Sequence, residues 1–297
     1  MRTNHRIICG LFLIALGLCG WRPAAAEVIN PYGQAVMEDA PIGYWRLRES
    51  TPDSAGDETS HGRDLTYANF GTDDFSASGP LAIGGTAPTF SSDHDSAVHA
   101  TDASYFGFAS GQSFSYELWV RGLKDDNHKG VGLLTKGYQT NTEDLPWYLS
   151  RAYEGDSEFF TRDSDHTDFT ADGSTTILDG DWHHMAAVYD AGEAENRVYV
   201  DGVLDAAVGG VQPDAYGTND QPLYIGQHYG RNFTGQIAEV ALYNSALSGE
   251  RITAHFDAAQ LVPEPSAGFF VALACLLALT SRGRRFCGKP RLSDRGN

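Results

Sequence analysis

Between Asp179 and Leu204 the chain reads DGDWHHMAAVYDAGEAENRVYVDGVL, and this stretch constrains the fold more than any other. Two runs, Trp182 to Tyr189 and Arg197 to Leu204, alternate apolar and polar side chains, with a polar connection containing Gly192 between them. A period of two is the pattern of antiparallel β-strands with one buried face, because successive side chains point to opposite sides of a sheet. Asp201-Gly202, between Val200 and Val203, reads as a tight turn joining neighbouring strands, since Gly accepts positive φ there.

The same period recurs along the chain. Ala40 to Leu47 alternates behind Pro41, which suits an edge strand. In Phe114 to Val120, Phe114, Tyr116, Leu118 and Val120 share one face, and Ser115, Glu117 and Trp119 share the other. Further strands are expected at Leu133 to Gly137, Trp147 to Leu149, Glu158 to Phe160, Leu223 to Gly226 and Phe233 to Tyr243. Residues 50–97 are rich in Ser, Thr, Asp, Gly and Pro and read as loops joining short strands. Ser248 is placed to cap a helix running to about Ala258, with Leu247 and Ile252 at hydrophobic-staple spacing.

In order, A-P-I-G-Y-W-R-L, F-S-Y-E-L-W-V, L-L-T-K-G, the WHH hairpin, L-Y-I-G, F-T-G-Q-I-A-E-V and N-S-A-L-S resemble the motifs of laminin-G-like, or concanavalin A-like, jelly-roll domains, from about Tyr44 to Phe256. That resemblance implies an all-β, two-sheet antiparallel jelly-roll sandwich, assigned to residues 27–262. No cysteine falls between 27 and 262, so disulfides contribute nothing there.

The ends read as sorting segments. Arg2, His5 and Arg6, an apolar stretch from Ile7 to Cys19 and the run Ala24 to Ala26 make residues 1–26 a signal peptide, with cleavage expected after Ala26. Pro263-Glu264-Pro265, an apolar run from Ala267 to Leu279, and Arg282, Arg284 and Arg285 resemble the PEP-CTERM sorting signal of exopolysaccharide-producing bacteria. Residues 263–286 are therefore expected to form a short membrane helix, with 287–297 as a basic cytoplasmic tail by the positive-inside rule. The expected location is outside the cytoplasm, held to the inner membrane by that helix or released after cleavage by a sorting protease.

Residues 27–262 carry 37 acidic and 12 basic residues, a formal charge of −25. Such a field repels nucleic acid and anionic membranes and attracts divalent cations. The resemblance implies calcium as a candidate ion, at Asp125-Asp126-Asn127 or at Asp163 to Asp168, although neither has the spacing of a twelve-residue calcium loop.

His183 and His184 are adjacent on one strand and point to opposite faces, so they cannot chelate one ion together. One is expected to pack near Trp182 in the core, the other to face out and bond a neighbouring strand. Glu154-Gly155-Asp156-Ser157-Glu158 has the E-x-D-x-E spacing of laminarinase and lichenase-type glycoside hydrolases, in which the first Glu is the nucleophile and the last the general acid. Gly155 and Ser157 around Asp156 spell a turn instead, between the Tyr148 and Phe159 strands. Tyr138, Trp147, Tyr153, Tyr216 and Tyr229 sit in or beside expected loops, where an aromatic ring offers an apolar platform to a sugar face. Trp147 reads equally well as core.

These readings point to a non-catalytic exported domain binding extracellular polysaccharide through Tyr138, Trp147, Tyr153 and Tyr229. The alternatives are a glycoside hydrolase using Glu154 and Glu158, and an adhesion module that binds matrix protein.

Overall fold

The computed structural model describes residues 30–94, 96–100, 103–124, 130–136, 147–212, 216, 222–228 and 231–262. In chain order the strands are β1 (Gly43–Trp45), β2 (Leu65–Ala68), β3 (Ala77–Ser78), β4 (Thr86–Ala87), β5 (Thr89–Phe90), β6 (Ala97–Ala100), β7 (Phe114–Gly122) and β8 (Val131–Lys136). They continue with β9 (Trp147–Tyr153), β10 (Asp156–Arg162), β11 (Asp168–Thr176), β12 (His183–Asp190), β13 (Glu195–Val200), β14 (Val203–Gly209), β15 (Leu223–Ile225) and β16 (Gly235–Tyr243). Helices α1 (Pro31–Glu38) and α2 (Gly249–Ala259) flank them.

Two antiparallel seven-stranded sheets pack face to face. Sheet A has the order β1-β16-β7-β12-β13-β14, with β5 also paired to β16, and sheet B runs β11-β10-β9-β8-β15-β6-β2. The alternation in the opening stretch becomes β12, β13 and β14, and its second run folds back at Asp201 (φ 50°) and Gly202 (φ 79°). Ser248 caps α2 through the Arg251 amide, and Leu247 and Ile252 are both buried, as their spacing requires.

Phe114, Tyr116, Leu118 and Val120 of β7 face Leu133, Leu134, Tyr148 and Phe159 of sheet B in the main core. Complete burial of such side chains stabilises by roughly 1.5–3 kcal/mol each. The opposite face of β7 departs from the one-face expectation. Trp119 joins Ala186, Val188, Tyr199, Ala241 and Tyr243 in a second core, under Tyr32 and Val36 of α1 and Ile252 and Ala259 of α2. Sheet A is thus buried on both faces along β7, β12 and β16, while β14 at its edge stays exposed at Val203 and Leu204. Helix α1 was not foreseen, although Pro31 at its start and the buried i, i+4 pair Tyr32 and Val36 were its signals.

The seam between the edge strands β11 and β14 closes on one carboxylate. Asp205 accepts hydrogen bonds from Ser157 Oγ (2.6 Å), the Ser174 and Thr175 amides (3.1 Å each) and Thr175 Oγ1 (2.8 Å). Unpaired amides of an edge strand are a template for wrong pairing, and Asp205 occupies two of them. Among the described residues no helix is long and apolar enough to cross a membrane. The signal peptide and residues 263–297 lie outside the described residues.

Candidate functional site

Among the described residues on the outer side of sheet B, β9 and β10 present one exposed aromatic ring, Tyr153, beside the buried Glu158 and Phe160. Tyr148, Ala152, Phe159 and Ala171 point between the sheets, so alternation turns Arg151 and Tyr153 of β9 and Glu158, Phe160 and Arg162 of β10 outward. Register sets Tyr153 beside Asp156, and lines up Gly132, Arg151, Glu158 and Asp172 across four strands.

At the centre of this face Arg151 donates its Nε–H to Glu158, whose side chain is only 5% exposed. The guanidinium lies 5.0 Å from the Tyr153 ring centre and 5.2 Å from that of Phe160, within cation–π range of both. Tyr153 is 40% exposed while Phe160 is buried, so one ring supports the arginine and the other presents an open surface. Glycines permit this crowding. A Cβ at Gly130 would stand 3.2 Å from the Tyr153 ring, and one at Gly132 would stand 2.3 Å from the His228 Cβ. Burial raises the Glu158 carboxyl above its ordinary value, against the opposing effect of Arg151. Burial also pushes His228 down to about 3, helped by Arg151, Arg231 and Arg162, so it is neutral at physiological pH.

The hydrolase geometry is not formed. Glu154 (φ 52°) and Gly155 (φ 96°) make the turn between β9 and β10, as their residue types predict, so Glu154 is off the strand that carries Asp156 and Glu158. Asp156 accepts from Thr176 Oγ1 at 2.7 Å, and the immediate partner of Glu158 is a guanidinium.

The other candidates separate. Trp147 opens β9 opposite Arg162, but its side chain lies outside the described residues, as do Tyr138, Tyr229 and Asp125-Asp126-Asn127. Trp147 and Tyr153 are six residues apart on one strand, about 20 Å. Tyr216, expected in a loop, is fully buried against Tyr189 and Phe114, and its ring belongs to the core.

In the acidic run from Asp163 to Asp168 two carboxylates have local partners. Asp163 turns its carboxylate onto the Asp165 and Thr167 amides at 2.9 Å, and Asp168 pairs with Arg162 at 2.6 and 2.9 Å. Among the described residues no group of three or more His, Cys, Asp or Glu is placed to hold a metal.

The histidine pair divides its work, with different partners from those expected. His184 is fully buried, stacks near Trp119 (5.3 Å) rather than Trp182, and meets Glu117 at 2.8 Å. His183 reaches Asp201 at 2.8 Å and Asp179 at 3.2 Å. Other polar motif letters have structural uses too, since Tyr44 and Arg46 both bind the buried Glu239 of β16. Sequence reasoning missed Arg151, whose only local signal was its even spacing from Tyr153.

Solved structures share this fold. The binding domain of Paraclostridial Mosquitocidal Protein 1 superposes with a TM-score of 0.57 at 12% identity, over 74% of this chain and 52% of that one. Domain 4 of AbnA, a GH43 extracellular arabinanase from Geobacillus stearothermophilus, was solved in complex with arabinotriose and gives 0.52 at 21% identity, over 74% of this chain and 98% of that domain. The binding domain of Botulinum Neurotoxin DC, in complex with SialylT, gives 0.56 at 13% identity, over 75% and 52%. The chain thus spans about half of each toxin domain and nearly all of the arabinanase domain. No curated protein sequence matches it. A family model matches residues 90–253, more than half of the sequence. With two antiparallel sheets in the same region, the chain belongs to the concanavalin A-like lectin/glucanase superfamily.

Proposed function

We propose that this protein is a non-catalytic binding module for extracellular polysaccharide and that the outer face of sheet B receives the ligand. One observation carries the reading: Arg151 is locked by Glu158 between the rings of Phe160 and the half-exposed Tyr153. An aromatic face stacks on the apolar side of a sugar, and a guanidinium fork offers paired donors to neighbouring hydroxyls. The binding role of the solved relatives, one of them holding arabinotriose, supports this. Tyr138, Trp147 and Tyr229 belong to the proposal as further candidate ligand contacts, and their side chains lie outside the described residues.

Export, through cleavage after Ala26 and a membrane-held or sorted C-terminal segment that carries Pro263, Glu264, Pro265, Arg282, Arg284 and Arg285, belongs to the same proposal, because an extracellular polymer is met only outside the cell. Calcium belongs to the proposal as a candidate ion, at Asp125, Asp126 and Asn127 or at Asp163 to Asp168.

The purified full chain is tested in detergent on a panel of immobilised polysaccharides, with and without EDTA. Retention on at least one polymer, weakened in Tyr153→Ala, is expected. Retention on no polymer sinks the reading and favours the matrix-protein alternative, and release of reducing sugar that disappears in Glu158→Gln favours the hydrolase.

A further inference from the structure

The charge pattern of this face narrows the ligand class. Residues 27–262 hold 37 acids against 12 bases, and a polyanion approaching such a surface is repelled over the Debye length of about 8 Å at physiological salt. A local basic island could override that repulsion, as it does in proteins that bind acidic polymers. Among the described residues the outer face of sheet B does not supply one. Arg151 is matched by Glu158 and Arg162 by Asp168. Asp156 and Asp172 stand in the same cross-strand rows. Arg231 is exposed, and its carbonyl accepts the Gly132 amide, which places it beside His228. That is one further cation against two further carboxylates.

We propose that this face selects an uncharged polysaccharide and discriminates against uronate or sulfate polymers; the inference rests on the glycan-binding reading above. Arg151 spends its Nε–H on Glu158, and its Nη donors point a fork suited to vicinal hydroxyls. The Tyr153 ring, 5.0 Å away, supplies the stacking surface, and Asp156 in the neighbouring register position supplies an acceptor. A sugar carboxylate reaching the Nη donors would bring a second negative charge beside Glu158, which is 5% exposed, and into the rows that hold Asp156 and Asp172. Hydroxyls use the same donors without adding charge.

The test measures affinity of the purified full chain for neutral arabinan, galactan and β-glucan and for polygalacturonate and alginate, at low salt and at about tenfold higher ionic strength, with and without EDTA. Expected is binding to a neutral polymer that changes less than about twofold with salt, and no binding to the uronates at low salt. Arg151→Lys keeps the charge and removes the fork, so it should weaken the neutral ligand about tenfold. A uronate bound at least as tightly as any neutral polymer, with affinity falling as salt rises, overturns the inference through direct cation contact. Uronate binding that EDTA abolishes overturns it through a calcium bridge. Both outcomes leave the glycan-binding reading standing, whereas failure on all five polymers removes that reading and this inference with it.

Discussion

Glu117 Oε2 and His184 Nε2 meet at 2.8 Å, and neither side chain has any exposure. They come from the paired strands β7 and β12, two positions apart in register, since His184 pairs with Trp119 and Glu117 with Ala186. Helix α2 adds His255, whose Nδ1 lies 3.0 and 3.1 Å from the two carboxylate oxygens, and β16 adds the Tyr243 hydroxyl. Asp39, at the end of α1, stands 2.9 Å from His255 Nε2. One buried carboxylate therefore ties three elements directly and a fourth through His255.

Removing that carboxylate leaves buried imidazoles without their acceptor. Glu117→Ala is expected to lower the free energy of unfolding by about 3–5 kcal/mol, read as a shift of the urea midpoint. A midpoint within error of wild type would mean that the helices do not depend on this network.

The network also sets a pH dependence. Burial alone would lower His255, but the charge and hydrogen bonds of Glu117, with Asp39 behind them, raise it above its ordinary 6.5. A histidine raised in the folded state contributes stability that is fully present below 6.5 and lost as pH rises through the folded value. Wild type should therefore lose more stability between pH 6 and pH 9 than His255→Gln does. His183, raised chiefly by its hydrogen bond to Asp201, leaves a residual slope of the same sign. Equal slopes in the two proteins would remove His255 from the account.

The β11–β14 seam gives a steric test. A Cβ on Gly173 would stand 2.1 Å from Asp205 Oδ2 and from Ser157 Oγ, and 2.8 Å from the Ser157 carbonyl. Gly173→Ala must break the Asp205 hydrogen bonds or move the strands, at roughly 2–3 kcal/mol for the loss of bonds to a charged acceptor. Asp205→Ala should cost about the same without the clash. Thermal melting of both variants checks this, and a neutral Gly173→Ala would show the seam to be loose.

Tyr153 projects from the fold, so its truncation separates binding from stability. Tyr153→Ala should weaken the retained polysaccharide by up to about tenfold, the equivalent of about 1.4 kcal/mol of stacking, and lower the melting temperature by no more than about 4 °C for the lost contact with Arg151. Unaltered affinity would move the ligand elsewhere.

The turn chemistry of the Glu154 segment was legible because Gly and Asp act within a few residues of themselves. The site it adjoins was not, because Arg151 acquires meaning only when register sets it beside Glu158 and the chain places Phe160 and Tyr153 on either side. Tyr216 shows the reverse error, since local composition suggested a loop aromatic and distant contacts with Phe114 and Tyr189 bury it.

By itself the sequence determined most of the strands, the Asp201-Gly202 turn, the α2 cap and the sandwich they make, governed by side-chain period and local backbone preference. Strand β11, with its run of polar residues, went unread. Tertiary structure alone decided which sheet face stays open. That depends on α1, near residue 31, docking beside α2, near residue 249, over the same strands. Burial created by segments so far apart leaves no trace in the alternation of either. The WHH stretch shows the division plainly: its period announced two faces, and only packing made the His184 face as dry as the other.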